Sequence, residues 1–497
     1  MNIAKNIFFY AAMLLLLSSL ITWYFSPSRQ TGKPVLVWQT GICPERYEQV
    51  ELFRKWMRNE GYVDQKGEPL FDIKIQAAGN QSTLIQAVSG VGGDIIDSVN
   101  VKRFGPMGIL EDITDFAKAN QMDPSSNYLY AGDLLMHLGR QYAYACNLCV
   151  NALVVNLDTF QKYNVTPPPE SWTPEEFERL GKEFVAKANK GRERQEIFFC
   201  ESVPFVQEIA RSLGADVFNE TLTHAKLNTP EFIKAFELQH KWIYVDHLMP
   251  SAAEQASENT AAAGGSFGGN SVSNFIHGRY AIIRIGRYIN MNLRLLPDPI
   301  RTAMIQQPMF EFKNLPIYAR SSAVYKGGKH KDFAKLFLKF LASREYNELI
   351  INGSDGLPPN PKYAMGNPEY LKPSRHPNEG NVHENELKWA RTIALPAPYS
   401  PYYPMDDIGL TKALEKYMAG RATPAKALAE YEKRINNLIQ DQIKAYDNLK
   451  KDFDEQIRIQ AKIDALKQEG KKIPKSWIRN PFHLLYYKTR GMLDETK

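Results

Sequence analysis

The sequence predicts an α/β fold in which mostly parallel sheets are wrapped on both sides by helices. Three observations point there. Short apolar strands alternate with single amphipathic helices between residues 35 and 99. Helix starts carry their own punctuation, as at Thr173-Pro174-Glu175-Glu176. A chain of 497 residues with 44% apolar and 11% aromatic content can bury cores for two or three domains. A net charge of +6 is mild and gives no reason to expect nucleic acid as a partner.

The elements follow in order. Residues 35–39 read as a strand and 45–59 as an amphipathic helix. Residues 71–77 read as a strand, 81–89 as a helix and 94–99 as a buried strand before a further helix. Strands separated by single helices imply a sheet covered on two faces. In open sheets of this kind ligands sit at the carboxyl ends of strands. Those ends are Trp38-Gln39-Thr40, Ala78-Gly79-Asn80 and Ser98-Val99-Asn100, all aromatic or polar, so a cleft is expected there. Residues 154–185 then give an apolar strand, a turn into a short helix, a proline brake and a helix led by Trp172. Thr173 can cap that helix, Pro174 suits its first position, and Glu175 and Glu176 sit at the positive end of its dipole.

Residues 7–25 carry no charge and follow Lys5. Such a stretch can cross a bilayer as an uncleaved signal anchor, N-terminus inside, although Arg29 and Lys33 weaken the charge asymmetry. A cleaved signal peptide is the competing reading. No small-x-small cleavage site is evident and no Cys follows to accept a lipid. Either reading exports the body. The four cysteines, Cys43, Cys146, Cys149 and Cys200, allow disulfides in an exported chain. Cys146-Asn147-Leu148-Cys149 is a CxxC, but its flanks read as strand rather than as a redox helix start, and the nine histidines are scattered. Structural or disulfide roles lead; redox and metal roles trail.

Several stretches together resemble the bacterial extracellular solute-binding proteins of family 1, maltose-binding-protein-like sugar receptors that feed ABC importers. The segment from Val154 to Val185 resembles the family's strand, "PP" brake and "TW" helix start. Trp38 with Glu45-Arg46-Tyr47 is similar to its "W…PE" opening, and Gly93-Asp94-Ile95-Ile96-Asp97 to its "PDVV" strand. FIHGRYAIIRIGRY, ending at Gly286-Arg287-Tyr288, is similar to its "F-x-x-G…G-x-W" strand. KDFAKLFLKFLAS from Lys331 resembles a family helix, Gly356-Leu357-Pro358-Pro359-Asn360 a family turn, and Tyr417 to Gly420 followed by Thr423 to Leu428 its closing helices. Three features depart from the pattern. The lipid-accepting Cys is missing, a glycine-rich family strand appears as Ile317 to Val324, and the chain continues past Gln440.

The resemblance implies a two-lobed periplasmic-binding-protein fold, type II-like. Lobe one would be 35–146 with 306–342, and lobe two 147–305 with 343–440. Residues 1–34 would be anchor or signal plus linker, and 441–497 a helical C-terminal extension. Chain crossovers are expected near Cys146-Asn147 and Ile305-Gln306. The implied function is capture of a sugar or small oligosaccharide for an ABC permease, without cofactor or metal. A receptor for a peptide, polyamine or metal chelate is the alternative, and a carbohydrate-active enzyme a more distant one. No G-x-S-x-G or H-E-x-x-H string occurs. The glycine-rich 263–269 lacks the Lys-Ser/Thr of a phosphate loop, and the neighbours Asp406 and Asp407 read as solvated acids.

Sugar sites pair aromatic rings with planar polar groups that reach fixed hydroxyls. The candidates at strand ends and crossovers are Trp38, Asn100, Phe205, Arg287, Tyr288, Tyr318, Arg320, Tyr402 and Tyr403. Arg287-Tyr288 stands out, because it follows a buried strand and a Gly where the family places a sugar-stacking aromatic. The extension holds 13 Lys/Arg against 9 Asp/Glu. Its apolar stripe reads as a helix docked on the body, then as a coiled-coil arm, then as a lipid contact. The stripe is too narrow for a buried helix, so removal after Gln440 is expected to leave a folded body.

Overall fold

The computed structural model describes residues 13, 17–18 and 32–496, apart from 78, 125–127, 260–268 and 406–407. The glycine-rich stretch up to residue 268, the Asp406-Asp407 pair and nearly all of 7–25 therefore lie outside the described residues. Among the described residues no helix is long and apolar enough to cross a membrane.

Ten strands build two mixed sheets: β1 Val35–Thr40, β2 Asp72–Ala77, β3 Ile95–Asp97, β4 Ala143–Val150, β5 Ala152–Asn156, β6 Phe198–Cys200, β7 Tyr280–Ile285, β8 Thr302–Ile305, β9 Leu315–Val324 and β10 Ala394–Leu395. The first sheet runs β10-β9-β3-β1-β2, with β4 on the other edge of β9; the second runs β8-β5-β7-β6. Around them pack α1 Pro44–Asn59, α2 Asn80–Val88, α3 Pro174–Ala188, α4 Val206–Ser212, α5 Lys331–Leu341, α6 Val382–Thr392, α7 Pro424–Ala445, α8 Asp447–Gln468 and α9 Pro481–Thr489.

The local rules hold where they were clearest. Pro44 opens α1, whose buried face carries Val50, Phe53, Trp56 and Met57. In α3, Glu176 N–H donates to Thr173 Oγ1 and Thr173 N–H donates to Glu176 Oε2, a reciprocal cap. The mostly parallel sheet is corrected. Strands β1, β2 and β3 are parallel, but β9 runs antiparallel to both β3 and β4, and β5 antiparallel to both β7 and β8. Parallel neighbours need a crossover helix. Here the chain instead passes straight from β4 in the first sheet through Asn151 into β5 of the second, so no such helix intervenes.

One core packs Trp38, Phe53, Trp56, Phe71, Phe337 and Phe340 outside the first sheet. Another packs Trp172, Phe177, Phe199 and Trp242 outside the second. A third runs unbroken from Leu148 and Val150 to Ala152 and Val154, joining the lobes at the crossover.

The cysteines form no disulfide. Cys146 and Cys149 lie three apart on β4, so they point to opposite faces of the sheet and cannot meet. Burial pushes the Cys146 thiol up to about 12, the reverse of an activated redox thiol. Among the described residues no cluster of His, Cys, Asp or Glu could hold a metal.

The C-terminal extension packs against the body through both apolar and polar contacts. The predicted single helix breaks at Tyr446, and both pieces dock on the body. Gln460 accepts from Thr221 N–H and its hydroxyl and donates to Glu220 at 2.8 Å. Lys467 and Tyr487 also donate to Glu220, which is 1% exposed. Burial opposes that charge, yet His483, Lys467 and the bond from Tyr487 hold its carboxyl far below the usual range. Phe482 and Leu485 of α9 bury against Phe312 and Leu395. A narrow stripe suffices because polar pairs complete the contact.

Candidate ligand-binding site

Between the sheets, β4 and β9 lie side by side, with Tyr318 paired to Cys149 and Arg320 to Asn147. Tyr318 is 45% exposed and projects from this floor. Tyr288 is half-buried in the 3-10 turn Arg287–Ile289 that follows β7. Burial raises both hydroxyl pKa values. Beyond burial, Tyr288 feels Cys149, Glu386, Glu201 and Tyr318, while Tyr318 feels Glu208, Arg284, Cys149 and Arg211. The two rings therefore share one neighbourhood with an acidic and basic wall. In that wall Arg284 donates to Pro204 O at 3.0 Å and to Glu208 at 3.4 Å. Its guanidinium lies over the Phe205 ring, 5.7 Å from the centroid.

Gly286 lets the turn approach the floor. A Cβ there would meet Cys149 Sγ at 2.3 Å and Glu386 Oε1 at 3.0 Å. Glu386, from α6, accepts from Val150 N–H at 2.9 Å and Arg287 N–H at 3.1 Å, pinning the crossover to the turn. Burial pushes its carboxyl up to about 7 against the pull of Arg287.

In the first sheet, the carboxyl end of β3 and α2 enclose a cavity of about 570 Å³ lined by Asn100 and Arg103, both exposed. Farther along, Tyr399 spans the lobes. Its hydroxyl bonds His137 Nδ1 at 3.2 Å, and Lys102 lies over its ring at 5.0 Å. Burial and the Lys102 charge press His137 down to about 4, so it is neutral at pH 7.

The structure thus places Tyr288 and Tyr318 both beside Cys149, and Asn100 just past β3, the strand that pairs with the far part of β9. It moves the other candidates elsewhere. Arg287 is wholly buried and aims away from solvent. It donates to His383 Nδ1 at 2.9 Å, Gly356 O at 2.6 Å, Ile351 O at 3.0 Å and Ser354 Oγ at 3.1 Å. Because Arg only donates, His383 Nδ1 is the bare nitrogen and its Nε2–H faces Glu379, which also holds Arg294. Arg320 is committed to Asp97, an acid shared with Thr40, Ser322 and Cys146 and part of a chain to Asp355 and Arg46. Trp38 is wholly buried against Phe337 at 5.0 Å, on the helix-covered face of β1 rather than at its open end. Phe205 is wholly buried beside Trp242. Tyr402 is buried with its hydroxyl on Asp452 of the extension, and Tyr403 packs near Phe218. Reading the sequence missed Arg284, Arg211, Lys102, His137 and Tyr399. Only Tyr399 carried a signal, the run of Pro and Tyr from Pro396 to Pro404.

A profile of the family described as bacterial extracellular solute-binding protein matches residues 60–348. The chain belongs to the bacterial extracellular solute-binding proteins. Solved structures share its fold. The ABC substrate-binding protein Lmo0181 from Listeria monocytogenes, in complex with cycloalternan, is 20% identical, with a TM-score of 0.66 over 82% of this chain and 99% of that one. The GacH receptor of Streptomyces glaucescens is 13% identical, with a TM-score of 0.63 over 82% and 99%. The cyclic α-maltosyl-1,6-maltose binding protein of Arthrobacter globiformis is 16% identical, with a TM-score of 0.63 over 82% and 100%.

Proposed function

We propose that this solute-binding protein is the extracytoplasmic receptor of an ABC importer and captures a sugar or small oligosaccharide between its lobes. The observation that carries this reading is the pair Tyr288 and Tyr318. Both rings are partly open and flank Cys149 where the sheets join: Tyr318 pairs with it across the strands, and Tyr288 follows the Gly286 that abuts its sulfur. Rings can cover the C–H faces of a pyranose while the charged pair Arg284 and Glu208 orders its hydroxyls. The fold neighbours solved in complex with cycloalternan and with acarbose, and the one named for cyclic α-maltosyl-1,6-maltose, support the same class. The lobes close about the strands that cross at Asn151, past the crossover expected near Cys146-Asn147, and the closed shape is what a permease recognises. The uncharged residues 7–25 support an anchor that tethers the body to the outer face of the inner membrane. Capture and release involve no covalent step.

A thermal-shift screen against mono- and oligosaccharides, with peptides and polyamines as comparators, tests the reading. A ligand at 100-fold excess over its Kd adds about 2.7 kcal/mol of apparent stability. Stabilisation by a peptide or polyamine and by no sugar refutes it.

A further inference from the structure

We propose that the C-terminal extension supplies one wall of the ligand site and that the space it closes takes a neutral glycosyl unit of a bound oligosaccharide. This rests on the sugar-receptor reading above. A cavity of about 560 Å³ opens between the lobes, within the range of small-molecule sites, about 300–1,000 Å³. Lobe one contributes Lys102 and His137, lobe two Arg211, and the segment through Tyr399 spans them. The remaining wall comes from Asp452 and Arg479, outside the stretch that matches the family.

Arg211 lines the cavity from lobe two, on the same short helix α4 that carries Glu208, the partner of Arg284. The extension is held there firmly. Arg479 grips Asp452 through two bonds of 2.8 Å, and Tyr402 from the body donates to the same carboxylate. Buried pairs at Glu220 secure the helices behind them.

The lining selects its occupant. Each cation already faces an oxygen: Lys102 on Asp133 at 2.8 Å, Arg479 on Asp452, and Arg211 on Asp216 at 2.8 Å and Pro396 O at 3.2 Å. No net charge is left to attract an ion, yet donors and acceptors stand at fixed positions. A polyol both donates and accepts, and so matches them. Tyr399 and the prolines beside it offer apolar surface to C–H faces.

Calorimetry on the full chain tests this with maltodextrin, cello-oligosaccharide and manno-oligosaccharide ladders of one to four units. Leu138→Trp fills the cavity from an exposed rim residue that makes no packing contribution to the core, and Arg479→Lys breaks the two-bond grip. Affinity in the wild type should rise with chain length. Both variants should lose about tenfold or more for the longest ligand and keep wild-type affinity for the shortest. Should Arg479→Lys fail to fold, Leu138→Trp decides alone. Unchanged affinity for the longest ligand in Leu138→Trp overturns the inference and leaves the sugar-receptor reading standing. A wild type that binds no member of any ladder overturns both.

Discussion

Arg287 separates a structural arginine from a ligand-binding one, and Arg287→Met is the decisive change. The side chain keeps its apolar stem and loses the guanidinium. Three buried acceptors are stranded, His383 Nδ1, Gly356 O and Ser354 Oγ, while Ile351 O keeps the Ser354 N–H. A buried group left unsatisfied costs about 1–3 kcal/mol, so three set a scale of about 3 kcal/mol or more. Freeing the protein from a desolvated charge offsets part of that. Glu386, whose backbone anchor Arg287 N–H remains, loses a neighbouring positive charge that favours its ionised form. The balance should resemble other broken buried charge networks, a loss of about 3–5 kcal/mol. The stacking over Tyr370, at 4.6 Å, disappears as well. Urea unfolding followed by tryptophan fluorescence should show an early transition in the lobe-two turn region, with ligand affinity falling only as folding fails. A variant with wild-type urea resistance and abolished sugar binding would refute this account and return the guanidinium to the cleft.

Other outcomes follow from the same geometry. Tyr288→Ala and Tyr318→Ala should each weaken ligand binding by about tenfold, since a stacked ring contributes about 1–3 kcal/mol, while melting temperature stays near wild type; calorimetry checks both, and unchanged affinity in both would move the stacking platform elsewhere. Truncation after Tyr446 should strip Glu220 of its Gln460, Lys467 and Tyr487 partners and bare Phe312 and Leu395, so the shortened body should aggregate or lose cooperative unfolding in calorimetric scans. Glu386, raised to about 7 by burial, makes the folded state bind a proton that the unfolded chain has released, so it lowers stability as pH rises from about 4.5 to 7. His383, pressed down to about 4 chiefly by burial and then by Arg287, does the opposite and adds stability as pH rises from about 4 to 6.5. Glu386→Gln removes the first effect alone, so urea midpoints between pH 4.5 and 7 should climb more steeply with pH than in the wild type; an unchanged slope would show that Glu386 does not titrate there.

Periodicity and punctuation decided what could be decided locally. The alternation of strand and helix, the reciprocal cap of Thr173 and Glu176 and the Pro44 start depend on neighbours a few residues apart, so the sequence alone determined them. The motifs in common order likewise determined the family. The strand that ends at Gly286 was legible as a buried run, but the close approach of Gly286 to Cys149 was not, because Cys149 lies far away in the chain. What a side chain faces is another matter. Trp38, Arg287 and Arg320 have the residue types of a sugar site, yet each is claimed by groups distant in the chain: Phe337, His383 and Asp97. Strand direction, the crossover at Asn151 and the docking of the extension on Glu220 also depend on contacts between remote segments. Only tertiary packing could decide them, because the free energy of a buried polar group is set by the partner it meets and not by its place in the chain.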